Sequence, residues 1–194
     1  MNIKVNFDNS LLSRYIEGNS PLLFEITWEY DRIEYPMKNW SDFGLVVLGW
    51  WIAIALKFFK GEDRGEFLFM DCPYSVTAKY DRETGELELS PKGLDVIWKV
   101  QYIDFVKALI DAVQRVDEEL VKRGIGEKER LVIEKYSAIL KGCLVEQKIE
   151  LPKVGIKGDR SFCHKGRSAQ LVADLYPCKM SHNRLSRNSC SAID

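Results

Sequence analysis

A chain of 194 residues, 46% apolar and 29% charged, has the length and composition of a globular protein with one real core. Its formal charge of −1 is unevenly spread: four lysines and four arginines against three aspartates give residues 151–194 a charge of +5, which leaves −6 for residues 1–150. An acidic body argues against nucleic acid as the main partner, because phosphate binding needs a cationic surface, and it suits a basic protein partner.

Ile3, Val5 and Phe7 alternate with Lys4, Asn6 and Asp8, the period of a short half-buried strand. Asp8-Asn9-Ser10 offers a cap, and Leu11, Leu12, Tyr15 and Ile16 predict a short helix that ends at Gly18. The clearest strand covers residues 22–31. Leu22, Phe24, Ile26, Trp28 and Tyr30 share one face, and Glu25, Thr27, Glu29 and Asp31 share the other. Alternation this regular marks a sheet with one packed and one wet face. Residues 33–35 are compatible with its extension before Pro36.

Residues 43–59 follow, FGLVVLGWWIAIALKFF, the most apolar stretch of the chain. It is shorter than the roughly 20 apolar residues of a membrane helix, and Lys57, Lys60, Glu62, Asp63 and Arg64 close it. The expectation is a buried helix with no membrane role, capped by Ser41 or Asp42 and ended by Gly61. Val46, Val47, Ile52 and Ile54 would also suit buried strands; length favours the helix. Trp50 and Trp51 fall on different faces, which predicts cover on both sides.

After a charged turn at 61–65, residues 66–70 read as a short strand. Tyr74, Val76, Ala78 and Tyr80 pair with Leu87 and Leu89 as a hairpin around Gly85. Asp95 is the expected cap of a long helix to Arg123, striped by Val96, Val100, Ile103, Val106, Ile110, Val113, Val116 and Leu120. Gly124-Ile125-Gly126 opens a second helix over 127–141, stopped by Gly142 and antiparallel to the first. Residues 143–151 alternate weakly and are compatible with a last strand. The fold class is therefore α+β: a mostly antiparallel sheet packed against a buried apolar helix and a C-terminal antiparallel helix pair. One domain is expected over 1–151, followed by a basic, Cys- and Ser-rich tail over 152–194 with a short helix near 168–175.

The side chains carry no strong chemical signature. Five cysteines, an odd number without a leader pattern before them, predict reduced thiols and a cytoplasmic protein. Cys72 and Cys143 read as small core residues. Cys163, His164, Cys178, His182 and Cys190 are zinc-ligand types, but no close cysteine pair forms a knuckle. Glu25, Glu29, Glu86 and Glu88 are carboxylates on wet strands, where solvated charge is commoner than a glycosidic pair. Asp63 or Asp71 with Glu146-Gln147-Lys148 has the residue types of a nuclease site without its context. No glycine pattern cradles phosphate. The expectation is a chain without catalytic residues, cofactor or metal; the rival readings are an enzyme using the acidic sheet residues and a zinc-binding nucleic-acid module in the tail.

The strand over 22–31, followed by Asn39-Trp40-Ser41-Asp42-Phe43 and Gly49-Trp50-Trp51, resembles segments of immunity proteins from bacterial polymorphic-toxin and contact-dependent growth inhibition systems. The resemblance covers roughly residues 1–150. It implies a cytoplasmic inhibitor that covers the active site of a cognate toxin domain, often a basic nuclease. The contacts expected are Glu25, Glu29, Asp31, Glu86 and Glu88, with the helical run Asp117, Glu118 and Glu119 as the alternative.

Overall fold

The computed structural model describes residues 1–70 and 73–150. In chain order these form β1 (Asn2–Asn6), α1 (Asn9–Ile16), β2 (Phe24–Tyr30), β3 (Ile33–Tyr35), β4 (Ser41–Asp42), α2 (Gly44–Lys60), β5 (Arg64–Leu68), β6 (Ser75–Asp81), β7 (Glu86–Pro91), β8 (Trp98–Gln101), α3 (Tyr102–Arg123) and α4 (Glu127–Glu150). The class is the expected α+β. All the described strand pairs are antiparallel, but they form two four-stranded sheets rather than one. In the first, β1, β2 and β3 lie side by side, and β4 also pairs with β2. The second has the order β5-β6-β7-β8.

The apolar stretch is the helix α2, closed by Gly61 at φ 115°, a left-handed turn that glycine adopts without a Cβ penalty. Its start is held differently from the expected cap. The buried Asp42 carboxylate accepts the Phe43 amide at 2.7 Å, the Met70 amide at 2.9 Å and the Trp40 indole N–H at 3.3 Å. It therefore ties the helix entrance to the end of β5 and caps no N–H inside the helix.

The two sheets and α2 share one core. The Trp28 ring of β2 sits 5.0 Å from Trp51 of α2, 5.1 Å from Phe67 of β5 and 5.4 Å from Phe105 of α3. Most of these pairs are edge-on, the arrangement ring quadrupoles favour. Trp51 donates its indole N–H to the Leu68 carbonyl at 2.8 Å. Helices α3 and α4 reach α2 through hydroxyls: Tyr102 donates to the Ala55 carbonyl at 2.8 Å and Tyr136 to the Leu45 carbonyl at 3.2 Å. A Cβ at Gly49 would lie 2.2 Å from the Tyr136 hydroxyl, so glycine there is what admits α4. Trp50 departs from expectation: it is half-buried and lines a surface groove with Met70, Pro73 and Tyr74.

Three other boundaries differ from the sequence reading. Residues 98–101 are a strand, not the first turn of the long helix. Trp98 and Val100 are buried while Lys99 and Gln101 are exposed, and the segment completes the sheet on β7, with Leu89 opposite Trp98 and Leu87 opposite Val100. Over four residues a two-residue and a 3.6-residue period are indistinguishable, and the available edge of β7 decides. Gly142 does not stop α4, because the buried face Ile133, Tyr136, Leu140 and Cys143 keeps its three-and-four spacing across it; the expected strand over 143–151 is helix to Glu150. Residues 33–35 do not extend β2 but return beside it, since Asp31 and Arg32 both have positive φ and close a two-residue hairpin turn.

The helix pair is antiparallel as expected. Asp117 of α3 meets Arg130 near the start of α4 at 3.0 Å, and Tyr102 at the start of α3 lies near Cys143 towards its end. Gly124 closes α3 at φ 66°. No helix of the described residues is long and apolar enough to cross a membrane.

Candidate functional site

Strand β2 positions the outward charges of the first sheet. Its inward positions Phe24, Ile26 and Trp28 are fully buried, which turns Glu25, Thr27 and Glu29 outward. The register sets Lys4 of β1 opposite Thr27, Asn6 opposite Glu25, and Glu34 of β3 opposite Glu29. Two carboxylates directly across a ladder repel. Lys4 offsets this: its Nζ lies 3.0 Å from Glu29 Oε1 and 2.5 Å from Glu34 Oε1. Hydrogen bonds to Glu34 and Glu29 raise the Lys4 pKa above the ordinary lysine value. The same contact lowers that of Glu29. Glu25 has a neutral neighbour instead, with Asn6 Nδ2 donating to Oε2 at 2.9 Å.

The edge beyond β2 is interrupted. Residues 36–40, which begin at the cis Tyr35–Pro36 bond, separate β3 from β4, and Asn39 adopts positive φ. This excursion brings Lys38 and Asn39 to the rim of an outward depression of about 210 Å³. Its walls are the Asn6–Glu25 and Lys4–Glu34 pairs, and Thr27, only 4% exposed, forms its floor.

The second sheet carries the other expected pair. Glu86 and Glu88 project from β7, and Lys99 of β8 lies 3.0 Å from each. These two hydrogen bonds raise the Lys99 pKa. Lys79 stands opposite Glu88 on the other flank, and Arg64 opposite Lys79. The five predicted contacts are spread over both sheets. Glu25 and Glu29 share a face of the first sheet, Asp31 sits in the hairpin turn at its end, and Glu86 and Glu88 belong to the second sheet. In the helical alternative, Asp117 is held by Arg130 at 3.0 Å and Glu119 by Arg123 at 2.6 Å, while Glu118 borders a groove between α3 and α4 with Glu134 and Lys141.

Sequence reasoning missed Glu34, Lys4 and Thr27 as parts of the site. The signal was present: a two-residue turn at Asp31-Arg32 followed by Ile33-Glu34-Tyr35 forces Glu34 opposite Glu29. Among the described residues no group of three or more His, Cys, Asp or Glu is placed to hold a metal. The cysteines and histidines of the tail, its expected helix, Asp71, Cys72 and the side chains of residues 146–150 lie outside the described residues. Comparison with family models, curated proteins and solved structures finds no match for the chain.

Proposed function

We propose that residues 1–150 act as an immunity-type inhibitor, which binds a basic bacterial toxin domain in the cytoplasm and covers its active site without catalysis or a cofactor. The observation that supports this most is the outward face of the first sheet. Glu29 and Glu34 there share one strand-borne cation, Lys4, and Glu25 is met by the neutral Asn6, within a body of net charge −6. A negative body steers a cationic partner at long range. At contact, the exposed ion pairs of Lys4 are weak and exchangeable, so cationic side chains of the partner can take over Glu29 and Glu34. A nuclease covered in this way loses access to phosphate. The second sheet is the poorer choice, since Arg64, Lys79 and Lys99 offset its outward carboxylates.

The test uses the neighbouring gene. The C-terminal domain of its upstream product is expressed in a sensitive bacterium with and without this protein. Growth arrest relieved by this protein, together with a stable complex whose affinity falls with salt, is the expected result. Charge reversal at Glu25 and Glu29 should abolish rescue while the protein stays folded. Rescue that persists in that variant removes the sheet-face contact, and arrest without rescue removes the immunity reading for that pair.

A further inference from the structure

Strand β5 is an edge of the second sheet. Its ladder with β6 uses the backbone groups of alternate residues. Just outside the strand, the Asp63 carbonyl accepts the Tyr80 amide at 2.8 Å and the Phe69 amide donates to Tyr74 at 3.2 Å, both in the β5–β6 register. Gly65 and Phe67 therefore face β6 as well, and Arg64, Glu66 and Leu68 turn their N–H and C=O groups to the free edge. The far end of that edge is closed: the Leu68 carbonyl accepts the Trp51 indole N–H, and the Met70 amide donates to Asp42. At Arg64 and Glu66 it is open. Both residues are exposed, and neither their outward backbone groups nor their side chains have a partner among the described residues. Helix α2 runs beside this opening. Ile54 packs over Gly65, where an added Cβ would lie 2.7 Å from its Cγ2. Val46, Trp50, Ala53 and Ile54, spaced as one helix face, are only half-buried.

We infer that this surface is a two-fold interface, in which β5 pairs antiparallel with β5 of a second copy about an axis at Gly65. In that register Arg64 stands opposite Glu66 of the second copy, and Glu66 opposite its Arg64. The ladder takes up the N–H and C=O groups of both residues on both strands, and it ends where Trp51 and Asp42 already close the edge. Oppositely charged cross-strand pairs stabilise a ladder. Opposite charges at alternate positions complement their own two-fold image, which favours a second copy over an unrelated strand. The neighbouring register, centred on Glu66, sets Glu66 against itself and needs the Leu68 carbonyl that Trp51 holds. On the inner face, the two α2 stripes meet at Ile54 and cover apolar surface that one copy leaves half-exposed. The first-sheet face proposed above takes no part in this pairing, so neither reading depends on the other.

The test is sedimentation equilibrium of the full chain under reducing conditions, where a concentration-dependent dimer is expected. Arg64→Glu and Glu66→Arg each set like charges opposite one another and should each weaken the dimer about tenfold. The double variant Arg64→Glu/Glu66→Arg exchanges the charges and should return to within about threefold of the original. Glu66→Pro spares the β5–β6 ladder, because the Glu66 N–H points to the free edge, and should also weaken the dimer about tenfold. A chain that stays monomeric at all concentrations, a dimer indifferent to these variants, or a double variant no better than the single ones overturns the inference. So does a monomer whose Arg64 and Glu66 amides gain exchange protection only in complex with a toxin domain, which would give the edge to a foreign strand.

Discussion

Each of the two sheets sets one edge-strand lysine between two outward carboxylates, but the surroundings differ. In the second sheet the carboxylates Glu86 and Glu88 sit two residues apart on β7, Lys99 bridges them, and Lys79 flanks Glu88. That face is mixed in sign. In the first sheet Glu29 and Glu34 face each other across a ladder and rely on Lys4, while Glu25 has no ion pair among the described residues and Thr27 lines a depression. The second arrangement neutralises a sheet surface. The first leaves acceptors in a concave place, and this contrast is why the binding role is assigned there.

The largest effect should come from breaking what the sheets share. Trp28→Ala removes the ring that touches α2, β5 and α3 together, and should cost about 3–5 kcal/mol. Urea unfolding followed by amide exchange should show both sheets losing protection in one transition; separate transitions would mean that the two sheets are independent units. Trp28→Phe should cost much less, because the Trp28 indole N–H has no hydrogen-bond partner among the described residues to lose. Asp42→Ala strands the Met70 and Phe43 amides and should cost about 2–3 kcal/mol; a near-neutral result would show that the tie between α2 and β5 is dispensable. Gly49→Ala drives a methyl against the Tyr136 hydroxyl and should cost about 1–3 kcal/mol, with Gly49→Ala/Tyr136→Phe recovering part of it.

Smaller effects separate the two lysines. Lys4→Met uncovers the opposed Glu29 and Glu34 and should lower the melting temperature more than Lys99→Met, and Glu34→Gln should restore the first variant. Equal losses in the two lysine variants would erase the electrostatic contrast between the sheets. The smallest effect is in pH. Glu29 titrates below its usual range because Lys4 hydrogen-bonds it, so its contribution is present above the unfolded carboxylate pKa and lost as pH falls through the lowered value. Lys4 is raised, so its contribution is present below the unfolded lysine pKa and lost as pH rises through the raised one. Lys4→Met should flatten the acid and alkaline limbs of the stability curve together.

Much of the fold was legible because it depends on local pattern. The alternation of residues 22–31 gave β2 and its wet face, and the apolar run before Gly61 gave α2. The turn around Gly85 gave the β6–β7 hairpin, and the glycines at 124 and 126 gave the helix pair. Where the pattern was short or permissive it misled. Trp98 and Val100 fit a helix stripe as well as a strand. Gly142 reads as a stop, yet one glycine costs a helix only about 1 kcal/mol, less than the burial of Cys143 and Leu140 on the same face returns.

The candidate site was half legible. Glu25 and Glu29 followed from β2 alone, because side-chain direction in a strand is fixed by parity. Their partners did not. Lys4 and Glu34 become neighbours only through register, and the burial of Thr27 follows from how the segments around β2 assemble. Sequence by itself determined the elements, the acidic body and the faces of individual strands, all set by local sterics and burial. Tertiary structure decided that the strands divide into two sheets, that the expected carboxylates fall on both of them, and that one face is concave, because those outcomes depend on which edges meet around Trp28.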